Sequence, residues 1–253
     1  MQLNNYKLNK LTINFLIKID FYKTTNFLNP DTKINSIFIG KFKNHYLYDI
    51  QKIIWHLKYF FFNLVNLFKE RYNIIVVNNI KFKAFNNILK DLTIYKNQTK
   101  FNKFVNFIGI IDNTWYNGII SNWKVIYNLI NKIFFDKKLN KNKYTKLKKI
   151  FDNLKLRNFS SPIPDLVLFI GSNSKGLKES LKFNLPLLSF IDNNTNLNFF
   201  LYYALGNIKS FDSLNFLLNI LELSVYKSIF IEQKTFRILI LKKILNNLKQ
   251  KGK

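Results

Sequence analysis

The chain has 253 residues, and 40 Lys and Arg against 14 Asp and Glu leave a net charge of +26 at neutral pH. It has two histidines and no cysteine, which excludes a disulfide framework, a zinc ribbon, an iron–sulfur cluster, a thiol nucleophile and a His-rich metal cluster. An apolar share of 48% is normal for a packed protein, so the charge does not impose disorder, and excess charge on a folded body calls for a polyanionic partner.

The N-terminal stretch Met1–Ile19 is apolar but broken by Asn14 and Lys18. It has neither a clean signal-peptide core nor the arginines of a transit peptide. Ile37–Ile39 and Tyr46–Ile50 read as short extended pieces around a Gly40–Asn44 turn. Gln51–Glu70 carries Ile54, Leu57, Phe61, Leu64, Val65 and Phe68 at spacings of three and four, the period of an amphipathic helix. Ile74–Val77 suits a central strand buried on both faces. Lys81–Lys90 is a helical segment, Phe104–Ile108 a second strand, and Ser121–Phe134 a helix with Ser121 as its N-cap.

From Asp136 to Arg157 the composition turns lysine-rich, which predicts a basic helix or the arms of a helical hairpin. Ser160-Ser161-Pro162-Ile163-Pro164 ends it, because proline stops helices and biases the residue before it to extended backbone. Asp165–Ile170 is then a strand, Lys175–Phe183 a helix, Pro186–Ile191 a strand and Leu201–Leu205 a further strand. Phe211–Tyr226 is a helix, and Ile229 to the end a basic helical tail. The most hydrophobic segments, Phe60–Phe68 and Ser213–Ile231, are interrupted by polar residues and read as buried helices, with no membrane span. Strand–helix–strand alternation with short connections predicts an α/β fold with a doubly wound parallel sheet. The expected organisation is an N-terminal extension over 1–25, a core over 26–228 with a hairpin insertion at about 136–158, and a tail over 229–253.

Enzymatic constellations are weak. Gly171-Ser-Asn-Ser-Lys-Gly176 sits between a strand and a helix, where phosphate loops form. Leu177 and the Lys178-Glu179 pair replace the Lys-Ser/Thr that would reach phosphate and magnesium. The acids lie singly, many at strand ends or helix starts (Asp49, Asp112, Asp165, Asp192, Asp212), and none is singled out for acid–base work. His45 and His56 have no triad or metal-ligand spacing, and His56 reads as structural. No cofactor, metal or small-molecule substrate is expected. The polar and basic turns are more suggestive. Lys41, Lys43, Asn44 and His45 cluster at one turn, Lys81 and Lys83 open a helix, and Asn117, Ser121, Asn122 and Lys124 surround an aromatic turn. Such groups bind phosphates without reading bases, and structured RNA is engaged largely by shape and backbone. Lys141 and Lys143 in the hairpin complete the candidate set.

The order of motifs resembles universal small-subunit ribosomal protein two, in its bacterial and organellar branch. Asn29-Pro30, Ile37-Phe38-Ile39-Gly40 and Asn44-His45-Tyr46-Leu47-Tyr48-Asp49-Ile50 resemble its opening stretch. Ile75-Val76-Val77 followed by Lys81 is similar to its first central strand and turn. Trp115-Tyr116-Asn117-Gly118-Ile119-Ile120-Ser121-Asn122-Trp123-Lys124 is the most specific piece. Pro164-Asp165-Leu166-Val167, Leu185-Pro186-Leu187, Ile191-Asp192-Asn193-Asn194 and Gly206-Asn207 follow in the family's order. Asn117 stands where the family has glycine, and Ile208-Lys209 where it has an acidic pair. The resemblance implies a flavodoxin-like sheet bearing a protruding basic α-hairpin. It also implies a non-catalytic protein between head and body of the small ribosomal subunit, with small-subunit ribosomal RNA and neighbouring small-subunit ribosomal proteins as partners. The A/T-type composition and the lack of a presequence point to an organelle-encoded, mitochondrial member. A nucleotide-binding protein or enzyme using the Gly171–Gly176 turn, and a peripheral protein on anionic lipid, are the competing expectations.

Overall fold

Ile74–Val77 is apolar at every position, and a strand of that kind is stable only where both faces are covered. The computed structural model covers both. It describes residues 13–24, 36–43, 45–70, 72–80, 108–112, 115, 117–126, 128, 164–171, 174–192 and 196–251. In chain order the elements are helix α1 (Ile13–Lys18), strands β1 (Phe38–Phe42) and β2 (His45–Tyr48), helix α2 (Ile50–Lys69), strands β3 (Ile74–Asn78), β4 (Ile108–Asp112) and β5 (Leu166–Ile170), helix α3 (Ser174–Lys182), strand β6 (Leu187–Ile191), a 3-10 turn (Leu197–Phe199), strand β7 (Tyr202–Leu205) and helix α4 (Phe211–Lys251).

Five strands form one parallel sheet in the order β4-β3-β5-β6-β7. Counted from β3, that is 2-1-3-4-5, the flavodoxin-like doubly wound order. Every residue of β3, β5 and β6 is buried. Because side chains alternate across a strand, neighbours separate to opposite faces. Phe190 meets Phe60 of α2 with ring centroids 5.0 Å apart, whereas Phe169 faces Trp115 at 6.3 Å and lies against Gly176 of α3. Helices therefore lie on both faces, as expected from the alternation of elements.

Asp49 starts α2 by accepting hydrogen bonds from the backbone N–H groups of Gln51 (3.0 Å) and Lys52 (3.4 Å), an N-cap of the usual kind. The helix buries Ile53, Leu57, Phe60, Phe61, Leu64, Val65 and Phe68 against the sheet and α4. Each such side chain contributes about 1.5–3 kcal/mol by leaving water. Helix α4 buries Leu214, Leu217, Leu218, Leu221, Val225 and Ile229. Its buried Ser224 and Ser228 hydroxyls donate back to the carbonyls of Leu221 and Val225, both at 2.6 Å. The stretch Phe211–Thr235 is long and apolar enough to cross a membrane, and half of it is buried inside the protein.

Four sequence expectations shift. The second strand lies at Ile108–Asp112 rather than Phe104–Ile108, because Ile108 pairs with Ile74 and the pairing runs on through Asp112; Gly109 hides this strand in a propensity reading. The β1–β2 connection is tighter than Gly40–Asn44, with Phe42 paired to His45, while Gly40 sits inside β1 beside a register shift. Helix at the Trp motif starts at residue 123, because the Ser121 hydroxyl is bonded elsewhere (below). The helix from Phe211 and the C-terminal tail are one continuous helix of 41 residues, about 60 Å long at 1.5 Å per residue. The N-terminal segment also enters the core: Leu16 and Phe21 are fully buried. Segments 81–107 and 129–163, with the expected helix at Lys81–Lys90 and the hairpin at about 136–158, lie outside the described residues.

Candidate nucleic-acid interface

Two of the polar clusters singled out in the sequence lie at the carboxyl end of the parallel sheet. The first is the turn after β4, and it is organised by Glu179, one turn into α3. Its carboxylate accepts five hydrogen bonds. Trp115 Nε1–H (2.8 Å) and the Gly118 N–H (3.0 Å) donate to Oε2; the Ile120 N–H (2.8 Å), the Ser121 N–H (2.9 Å) and the Ser121 hydroxyl (2.8 Å) donate to Oε1. Burial opposes ionisation of Glu179, but the hydrogen bonds from Ser121, Trp115 and Gly118 outweigh it and hold the carboxyl below its ordinary range.

This latch divides the motif. Trp123 is core, 1% exposed, and Trp115 is half-buried over Phe169. Gly118 turns the chain with φ +91°, a conformation that favours glycine. Asn117, Asn122 and Lys124 remain exposed. Ser121 is exposed as a residue, but its hydroxyl proton is committed to Glu179.

The second cluster is the β1–β2 hairpin. Just after β1, Lys43 has φ +52°, the left-handed backbone that tight hairpin turns require of their first residue. Lys41 and Lys43 are exposed, their ammonium groups 5.7 Å from the Tyr46 ring centroid and 5.6 Å from that of Phe42. Half-buried His45 donates from Nδ1 to the Thr24 carbonyl at 2.6 Å; a carbonyl only accepts, so Nδ1 carries the proton and Nε2 is the ring's remaining polar atom. The hairpin is anchored over β6 and β7. The Tyr48 hydroxyl donates to Asp192 at 3.2 Å, and the strand-like segment at Lys23, which pairs with Leu47, follows Phe21, whose carbonyl accepts from the Asn207 N–H at 3.2 Å.

A cationic surface needs amines not already neutralised. Among the described residues the ion pairs are Lys23–Asp20, Lys52–Asp49 and Lys69–Glu70, so Lys41, Lys43 and Lys124 have no carboxylate partner there. The residues carrying the Trp motif, the Asp-capped helix and the Gly206-Asn207 turn are thus all placed by one fold, and the ribosomal protein S2 family profile matches residues 18–228. The chain belongs to the ribosomal protein S2 family. It is also similar to the small ribosomal subunit protein uS2m of Acanthamoeba castellanii, 23% identical over 226 residues, which cover 89% of this chain and 61% of that protein. The chain thus spans about three-fifths of the length of that relative.

Within this S2-family fold, the Gly171–Gly176 turn has a packing explanation. Gly176 lies inside α3, and a Cβ there would come within 2.9 Å of the Phe169 ring and 3.0 Å of Trp115. Gly176 makes room for the Trp motif rather than for a phosphate. Gly171, at φ +82°, is buried beside Ile80 and Ile208. His56 is half-buried and stacked on Tyr203 at 5.5 Å, and burial lowers its pKa, which fits the structural role read from the sequence. No group of three or more His, Asp or Glu among the described residues is arranged to hold a metal. Asn44, Lys81, Lys83, Lys141 and Lys143 lie outside the described residues. Glu179 was missed by sequence reasoning, which saw it only as a departure from a phosphate loop. Its partners lie 58 to 64 positions earlier, beyond any local spacing signal.

Proposed function

We propose that this chain is a structural, non-catalytic component of a mitochondrial small ribosomal subunit that binds small-subunit ribosomal RNA. Membership of the S2 family over residues 18–228 carries the reading, and the uS2m name of the Acanthamoeba relative supports the subunit and the organelle. The contact surface combines the exposed amines of Lys41 and Lys43 with the Asn117, Asn122 and Lys124 turn, both at the carboxyl end of the sheet. Lys81, Lys83, Lys141 and Lys143, outside the described residues, are further candidate contacts from the sequence. Such groups hold phosphates and fix orientation without reading sequence. A place between head and body, beside other small-subunit proteins, follows from the family resemblance, as does the absence of a small-molecule substrate; the reading without a membrane span rests on the polar residues that interrupt the apolar segments and on the burial of half of Phe211–Thr235. The A/T-type composition supports coding by the organelle itself.

Sedimentation tests the reading directly. Mitochondrial lysate resolved on a gradient at low salt should carry this chain in the small-subunit fraction, identified by mass spectrometry. Raising the salt should strip it, because Lys–phosphate contacts release counterions. Its absence from that fraction at low salt would overturn the assignment.

A further inference from the structure

Helix α2 has a second face that its packing does not use. Trp55, Tyr59 and Phe62 recur at helical spacing outside the buried face of the helix and are 62%, 48% and 61% exposed. Three exposed aromatics in a row leave apolar area in water that polar residues at the same positions would not. The rings are also ordered. Trp55 and Tyr59 are stacked, 3° from parallel with centroids 5.5 Å apart, and Tyr202 of edge strand β7 meets Tyr59 edge-on at 5.8 Å. Between Asp49 and Glu70 the helix has no acid; Lys52 is paired with Asp49 and Lys69 with Glu70, which leaves exposed Lys58 within the stripe itself.

We propose that this stripe is a stacking platform for unpaired bases of RNA, distinct from the phosphate-binding turns at the carboxyl end of the sheet. It rests on the RNA-binding reading above and adds a second mode of contact to it. The indole of Trp55 caps the stack and offers its outer face to a base, since every base has a π-face of matching shape. Lys58 stands one turn of helix from both Trp55 and Phe62 and supplies positive charge for the phosphate that follows a stacked base. Exposed Lys58, on a helix with no acid between Asp49 and Glu70, gives the stripe a charge that complements a polyanion. Stacking engages splayed-out bases in loops, bulges and single strands.

The test uses the full-length protein and two probes, an oligoadenylate of about twelve nucleotides and an RNA duplex without unpaired bases, in filter-binding titrations at low salt. Trp55→Ala should weaken oligoadenylate binding about tenfold or more and leave duplex binding unchanged. Trp55→Phe should restore most of the loss, because a smaller ring still stacks. Trp55 is exposed, so the variants should keep the thermal midpoint of the original protein by circular dichroism; Tyr59→Ala gives a second reading of the same platform. Equal oligoadenylate affinity in Trp55→Ala and the original protein would overturn the platform. If that variant nevertheless left the small-subunit fraction on gradients, the stripe would be a protein-docking face instead. Failure of the unsubstituted protein to bind either RNA would overturn the RNA-binding reading itself, and the platform with it.

Discussion

Glu179 concentrates at one carboxylate what several residues of the Trp motif need. Its acceptor oxygens satisfy three backbone N–H groups, an indole and a hydroxyl, so removing the charge leaves donors competing for fewer lone pairs. Glu179→Gln should lower unfolding free energy by about 1–3 kcal/mol, towards the low end because the site is partly exposed. The pH dependence follows from the sign of the shift. The folded carboxyl titrates below its ordinary value, so its stabilisation is fully present above the ordinary carboxylate range and is lost as pH falls through the folded value. Urea midpoints measured from pH 7 downward should therefore show the gap between the original protein and Glu179→Gln closing in acid. A gap independent of pH would mean the carboxylate's charge is not what holds the turn. Gly206 is a second single-residue constraint. A Cβ there would overlap the buried Phe21 ring, so Gly206→Ala should cost about 1–3 kcal/mol, read as a lower urea midpoint with an unchanged slope.

Among elements, the β1–β2 hairpin separates charge from conformation. Lys43 carries both an exposed ammonium without a carboxylate partner among the described residues and a left-handed backbone. Asn tolerates that conformation well, so Lys43→Asn should keep or slightly raise stability while weakening RNA binding; unchanged RNA affinity in filter binding would remove the turn from the interface. The elements also show how far the sequence was legible. The α2 period was readable because Leu57, Phe61, Leu64 and Val65 all lie on one face, and every parallel strand but β4 falls within a residue or two of its apolar run. β4 slipped because Gly109 breaks propensity, whereas its position is decided by pairing Ile108 to Ile74 and Ile110 to Val76. The break expected near residue 228 is absent because nothing in Lys227–Ile231 stops a helix, and Ser228 and Ile229 still pack inside.

At the scale of the whole molecule, the net charge of +26 sets the form of binding more than any one contact. Affinity for duplex RNA should fall linearly in log–log plots against salt. Lys124→Ala should reduce the slope by about one unit and weaken binding to all duplex sequences alike, since a phosphate contact carries no base information. A slope unchanged by the substitution would place Lys124 outside the interface. The fold makes this surface possible by gathering separate turns at one end of a parallel sheet, the end at which doubly wound folds place their ligands.

The sequence alone determined the α/β class, the doubly wound sheet and the family, because apolar runs, helical period and the order of short motifs are local or ordered signals that survive in one dimension. The candidate lysines and asparagines were also visible there, as residue types at turns. Only the tertiary structure decided that Glu179 holds the Trp motif, that Trp123 is core while Trp115 is a hydrogen-bonded wall, that Phe21 occupies the space Gly206 leaves open, and that Trp55 and Tyr59 stack in the open on α2. Periodicity says which face of an element is apolar, but packing between residues far apart in the sequence decides which groups are satisfied inside the molecule and which are left to meet a partner.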